Sequence, residues 1–295
     1  MIIERFKITF KFINQHPFAS RHLILAYYKF CKWQFQTFFN KQLIQKQFVG
    51  DVNFYAKKGL TGITGNIYCG LHEFEDMSFL LHFLRQEDTF FDLGSNVGSY
   101  ALLASGTTNC KTLCFEPSLK SFNILSENIQ LNQLTSEVKA YNIAVGGEEG
   151  CLNFTEDQDT TNHVLVDSDN TSSTKVKVKK LDDFSEEIPS LMKIDVEGFE
   201  TEALNGATTI LRNSSLKAII IELNGSGYRY GFDENEIHIK LTDLGFKPYK
   251  YHPFERKLIL LPIFTEYDTI YIRDLLFVQK RLSTAKAFKL WNETI

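Results

Sequence analysis

Apolar positions along the chain switch between a helical and a strand period. In residues 73–85, Phe74, Met77, Leu80, Leu81 and Leu84 recur at helical spacing. An apolar run from Thr89 stops at Asp92, a glycine turn follows, and a helical pattern resumes with Val97, Ala101 and Leu102. Residues 112–115 are the next strand. Pro117 ends it, and Ser118 caps a helix whose apolar face is Phe122, Leu125 and Ile129. Residues 138–145 read as a third strand and 151–155 as an extra one. In 175–181, Val176 and Val178 alternate with lysines, the mark of a half-exposed strand. Leu191-Met192-Lys193-Ile194 begins another parallel strand, and one helix follows with Phe199, Ala203, Leu204, Ala207, Ile210 and Leu211 on its buried face. The unbroken apolar run 216–221 predicts a strand covered on both sides. Residues 233–244 form a helix closed by Gly245. Residues 246–251 and 269–278 are late strands, with 258–261 between them, and the glycine-rich 52–69 reads as a hairpin. This alternation predicts an α/β fold, with a doubly wound, mostly parallel sheet and helices on both faces.

The first 50 residues differ from the rest. They hold eight basic residues against one acid, Glu4, a net +7, which leaves −11 on residues 51–295 of a chain whose total is −4. Aromatic residues crowd the same segment, and Pro17 should split it into two helices. No apolar stretch there approaches the ~20 residues of a membrane span. Lys7 and Lys11 interrupt any signal-peptide core. The segment therefore reads as a basic, aromatic-rich helical arm. It rests peripherally on the anionic inner face of a membrane, clasps a partner subunit, or packs as a hairpin on its own domain, which is taken as 51–281 with a tail at 282–295. The overall negative charge argues against a general nucleic-acid binder. The five cysteines form no CxxC pair and read as reduced core residues of a cytoplasmic protein.

Chemistry gathers at Asp92-Leu-Gly94-Ser95-Asn96-Val-Gly98. A strand, a tight turn and a helix start would aim backbone N–H groups at one point, and glycines would let a ligand approach closely. Glu116 lies 22 positions after Gly94, about where an acid hydrogen-bonds the ribose hydroxyls in nucleotide-binding α/β folds. The dinucleotide fingerprint needs a middle glycine where this chain has Asn96, which counts against an NAD-dependent oxidoreductase. Asp92 can pair with an ammonium and would repel a phosphate. S-adenosylmethionine has the ribose and the ammonium and lacks phosphate. Asn142 and Ala144, at the end of the third strand, are placed near the adenine.

The stretch just described, Glu116-Pro117, Lys193-Ile-Asp195-Val-Glu197-Gly198-Phe199-Glu200 and Ile221-Glu222-Leu resemble the FkbM family of S-adenosylmethionine-dependent methyltransferases, from about residue 54 to about 279. The resemblance implies a class I methyltransferase (Rossmann-like) fold with an antiparallel last strand. It also implies O-methylation of a sugar, a glycan or a secondary metabolite.

The sequence narrows the acceptor. No N/D-P-P-aromatic tetrapeptide for base amines is present, and no Pro-Cys or Thr-Cys dipeptide for cytosine, so an oxygen acceptor is left. A sugar hydroxyl needs a base or a metal to take its proton. Asp195 and Glu197, two apart on an extended segment, are the candidates for that role or for holding a divalent cation such as Mg²⁺. Asp195 could instead cap the next helix. Residues 156–174 have the composition of a polar lid, and His163 within it and Glu222 are candidate acceptor contacts. A non-catalytic scaffold of the same fold is the other alternative.

Overall fold

The computed structural model of the chain describes residues 2–155, 162–165 and 173–295. Helices α1 (Ile2–Gln15) and α2 (Leu23–Phe39) open it, separated at Pro17 as the sequence predicts. His16 fixes their junction. Its Nδ1 accepts from the Phe18 and Ala19 N–H groups, and its Nε2 donates to the Leu71 carbonyl at 2.8 Å. Burial lowers its pKa to about 4, so the ring is neutral and can do both. Phe18 is buried against Phe74 and Trp291.

Strands β1 (Ile44–Gln47) and β2 (Asn53–Ala56) pair as a hairpin, and α3 (Thr61–Cys69) follows. The hairpin expected over 52–69 is thus a strand and a helix. Gly59 makes a turn at φ +103, but Gly62 and Gly65 lie within the helix, where a Cβ on Gly65 would lie 2.0 Å from His72 Nδ1. Next come α4 (Phe74–Phe83), β3 (Thr89–Leu93), α5 (Ser99–Thr108), β4 (Lys111–Phe115) and α6 (Leu119–Leu131). The third strand is two. β5 (Val138–Tyr141) stays in the main sheet, while β6 (Ala144–Val145) leaves it to pair with β8 (Ser173–Lys179), which also pairs with β7 (Gly150–Thr155). The Asn142 amide makes the break by donating to the Glu116 and Pro117 carbonyls.

After β9 (Leu191–Ile194) the single helix expected is also two, α7 (Glu200–Asn205) and α8 (Thr208–Arg212). A Cβ on Gly206 would lie 2.1 Å from the Gly146 carbonyl oxygen, and the Asp182 carboxylate caps α8 by accepting from the Thr209 and Ile210 N–H groups. The chain continues through β10 (Ala218–Glu222), α9 (Glu234–Asp243), β11 (Lys247–His252), β12 (Lys257–Leu260) and β13 (Asp268–Ile272). It ends with α10 (Leu275–Ser283), β14 (Lys289–Leu290) and β15 (Glu293–Thr294). The strand predicted over 269–278 therefore stops at Ile272, because Asp274 caps a helix by accepting from the Phe277 N–H.

The eight-stranded sheet has the order β12-β11-β13-β10-β9-β3-β4-β5. The five central and edge strands β10, β9, β3, β4 and β5 run parallel, and β13 inserts antiparallel beside β10, as the resemblance implies. Successive side chains alternate faces. Phe90 and Ile220 join the core under α4, α5 and α10, while Phe91, Met192 and Ile219 join the core under α7, α8 and α9. Cys69, Cys110 and Cys114 are buried as expected, but Cys31 and Cys151 are exposed, and all are free thiols. No helix among the described residues is long and apolar enough to cross a membrane.

Candidate active site

A cavity of about 610 Å³ opens at the carboxyl ends of β3, β4, β9 and β10, the edge where open α/β sheets bind ligands. Asp92, Gly94, Ser95, Asn96, Glu116, Ala144, Asp195, Glu197 and Glu222 all line it; Gly98, Asn142 and His163 do not. His163 is buried, with its N–H on Thr155 Oγ1. The lid expected over 156–174 lies mostly outside the described residues.

The turn after β3 works differently from expectation. Its N–H groups are used internally: those of Gly94 and Ser95 donate to the Phe115 carbonyl, that of Asn96 to Glu116 Oε2 at 2.8 Å, and that of Gly98 to the Ser95 carbonyl. Packing alone requires both glycines. Both have positive φ, and a Cβ would meet the Asp195 carbonyl at 1.7 Å from Gly94 or Leu125 at 2.6 Å from Gly98. Ser95 Oγ locks the turn by donating to the Asp92 carbonyl and accepting from the Phe115 N–H. The turn therefore offers a ligand a carboxylate-lined pocket, with those four N–H groups already spent.

Two acids define that pocket. Asp92 is 2% exposed, and burial pushes its pKa up to about 7, against the pull of Lys193. Its Oδ2 is buried with no hydrogen-bond partner. Glu116 accepts from Asn96 N–H on one oxygen and Ser118 N–H on the other, each at 2.8 Å. Burial lifts its pKa to about 7. Each carboxylate oxygen has a second lone pair, so Glu116 can still accept from a diol.

The other side of the cavity is acidic as well. One oxygen each from Asp195, Glu197 and Glu222 lie within 4.8 Å of one another. Strand alternation does not bring Asp195 and Glu197 together, because β9 ends at Ile194 and Glu197 sits at φ +54 in a left-handed turn. Gly198 continues that turn, where a Cβ would lie 2.6 Å from the Ser226 carbonyl oxygen. Glu200, not Asp195, satisfies the free N–H groups there, accepting from Val196 and Gly198 at 3.1 Å. Burial, then the Asp195 charge, pushes Glu197 up to about 8 and Glu222 up to about 9.

The sequence reading passed over the residue that organises these acids. Lys193 is buried, with its Nζ 2.8 Å from Asp195, 3.8 Å from Asp268 and 3.9 Å from Glu73. Those acids raise its pKa well above the ordinary lysine value, despite burial that would lower it. The Tyr100 ring lies under the ammonium at 4.8 Å, and its hydroxyl donates to Glu73. Register explains the grouping. Lys193 pairs laterally with Asp92 on β3 and Ile220 on β10, and Glu222 pairs with Asp268 across β10 and β13. A lysine inside a strand covered on both faces was the available signal. Phe12, His72, Glu73 and Tyr100 also line the cavity and carried no such signal in the sequence.

An acid held by the turn's N–H groups, a buried carboxylate oxygen without a hydrogen-bond partner and a crowded acid triad meet at the carboxyl edge of a class I methyltransferase sheet. The FkbM methyltransferase domain matches residues 92–248, and the chain belongs to that family. The hexuronic acid methyltransferase AglP of Haloferax volcanii is 30% identical over 149 residues, covering 49% of this chain and 59% of that protein. Methyltransferase 1 of Beauveria bassiana is 31% identical over 147 residues, covering 41% of this chain and 59% of its own length. The chain thus spans about three fifths of the curated relatives it matches. Among solved structures, an FkbM methyltransferase from Methylobacillus flagellatus gives a TM-score of 0.46 at 16% identity, covering 66% of this chain and 47% of that one. TYW2 from P. horikoshii, in complex with MeSAdo, gives 0.43 at 9% identity, covering 80% and 73%.

Proposed function

We propose that the protein transfers the methyl group of S-adenosylmethionine to a hydroxyl of a sugar acceptor, a uronic acid or a glycan containing one. The observation that carries this reading is the three-carboxyl cluster that lines the same cavity as the Asp92–Glu116 turn. Bound S-adenosylmethionine supplies an electrophilic methyl on a sulfonium. Glu116 would hold the ribose hydroxyls, and the unpartnered Asp92 Oδ2 would take the ammonium. The spent N–H groups of the turn leave a pyrophosphate without its usual donors, which favours this cofactor over a dinucleotide. The similarity to a hexuronic acid methyltransferase supports the acceptor class.

On the acceptor side, three carboxyls this close cannot all ionise at neutral pH. Asp195, ion-paired to Lys193, orients the hydroxyl. Glu197, poised near neutrality, takes its proton as the methyl arrives. A divalent cation could use the same three oxygens. We assign proton transfer instead, because Lys193 already places a positive charge beside Asp195. Chelator in the assay should leave the rate unchanged, and a rate lost to chelator and restored by Mg²⁺ would overturn that assignment.

The function is tested by incubating the protein with methyl-labelled S-adenosylmethionine and glucuronic-acid oligosaccharides, then locating the label by mass spectrometry. A methyl ether on a ring hydroxyl is the expected product. A methyl ester, or label on an amine, would overturn the O-methyl ether reading.

A further inference from the structure

Helix α2 is apolar on two opposite sides. Ala26, Phe30, Trp33 and Thr37 face the domain and are buried. On the other side Ile24, Tyr28, Cys31, Phe35, Phe38 and Phe39 recur at three- and four-residue spacing, in one continuous stripe. Ile24, Phe35, Phe38 and Phe39 are 68–91% exposed. A helix of this length carries the stripe for about 25 Å. A single exposed apolar residue needs no explanation, but a contiguous aromatic stripe does.

Charge identifies what covers it. Lys32 is exposed and flanks the stripe, with its Nζ 5.9 Å from the Tyr28 ring. Half-buried Lys29 and Lys46, stacked on the Trp291 and Trp33 rings, stand close enough for the three to repel one another. None of the three is in an ion pair among the described residues, whereas Arg21 on the domain side is paired with Glu293. The surface thus combines inserted-type aromatics with an exposed Lys32 on their flank and the positive charge of Lys29 and Lys46 behind it, none of them neutralised by a carboxylate among the described residues, the chemistry of an anionic bilayer interface. It also reaches the cleft. Phe10 of α1 packs on Tyr27 of α2, and Ile8, Thr9 and Phe12 of the same α1 line the cavity.

We propose that α1 and α2 form a docking face for an anionic lipid bilayer, set so that the cavity mouth opens beside the membrane surface. Resting on the function proposed above, this makes the acceptor a sugar displayed at the bilayer, such as the headgroup of a glycolipid.

The full chain is floated with phosphatidylcholine vesicles and with vesicles of roughly two parts phosphatidylcholine to one part phosphatidylglycerol. Binding to the anionic vesicles at low salt is expected, with about tenfold less on phosphatidylcholine alone and at about 0.5 M salt. The triple variant Phe35→Ser, Phe38→Ser, Phe39→Ser should keep its melting temperature and its activity on a soluble acceptor, while vesicle binding falls about tenfold. Lys29→Gln with Lys32→Gln should reduce binding to anionic vesicles alone. No flotation at low salt would overturn the proposal. So would a dimer in sedimentation that the triple variant converts to monomer, since a second copy would then cover the stripe. Asp195→Asn separates this idea from the chemistry, since it should float like the parent. Lost flotation with intact transfer to soluble acceptor sinks docking alone, and flotation without transfer from the parent sinks the catalytic reading.

Discussion

The two halves of the cleft are built in different ways. The half proposed for the cofactor comes from two short stretches, the turn after β3 and the end of β4, and its Glu116 is fixed by the backbone N–H groups of Asn96 and Ser118. The acceptor half is collected from α1, α4, α5, β9, β10 and β13, and its acids are fixed by one buried lysine. A half fixed by backbone geometry should tolerate side-chain changes with local effects on affinity. A half fixed by a shared charge should respond to one substitution as a network.

The widest gap between the halves should come from Asp195→Asn. It keeps the shape but removes a charge that Lys193, Glu197 and Glu222 all feel. The turnover rate should fall roughly 10²–10⁴-fold, with cofactor affinity and melting temperature nearly unchanged. Single-turnover kinetics with calorimetry on the same variant would check it. An early-melting variant that keeps its turnover would show that Asp195 is structural.

Lys193→Met tests the shared charge itself. It leaves Asp195, Asp268 and Glu73 without their ammonium, and breaking a buried ion pair from one side typically costs about 3–5 kcal/mol. Those acids can escape by taking up protons, so the loss should be larger near pH 8 than near pH 5. Denaturant unfolding at both values measures it. Equal losses at the two would mean that Lys193 contributes packing and not charge.

The same contrast decides what could be read from the sequence. Asp92, Gly94 and Glu116 were legible because strand, turn, helix, strand and acid follow each other within one β3–α5–β4 unit, and spacing alone brings them together. Asp195 and Glu197 were legible as acids at a strand end, but the left-handed turn at Glu197 and the convergence with Glu222 depend on Ser226 crowding Gly198 and on the β10 register. Glu73 reads as an ordinary acid just ahead of α4, and nothing local joins it to Tyr100 and Lys193. Elements failed in the same way. The breaks at Asn142 and Gly206 are made by partners 25 or more residues away, the Glu116 and Pro117 carbonyls and the β6 end at Gly146.

On the cofactor side, Glu116→Ala should weaken S-adenosylmethionine binding roughly ten- to a hundredfold, the worth of a charged hydrogen bond. The acceptor KM should not move, because the change stays in its own half. Titration calorimetry with S-adenosylmethionine or S-adenosylhomocysteine reads the first quantity. Unchanged affinity would remove Glu116 from the ribose.

The sharpest test of the shared-charge idea is the pH dependence of stability through Glu222. Unfolded, this glutamate gives up its proton near its ordinary value of 4.5; folded, burial and the Asp195 charge hold the proton up to about 9. Between those values the folded state binds more protons than the unfolded chain, so stability falls as pH rises through that window, and the loss is complete only above about 9. Below 4.5 both states are protonated and the group contributes no slope. Glu222→Gln cannot ionise, so the part of the slope due to this residue should vanish. The melting temperature of the variant relative to the parent should therefore rise steadily from about pH 5 to about pH 9. A slope from Glu197, whose pKa is raised to about 8 for the same reasons, should remain in both proteins. Parallel melting curves against pH for parent and variant would mean that Glu222 shares no charge with Asp195, and the acceptor half would then be fixed as locally as the cofactor half.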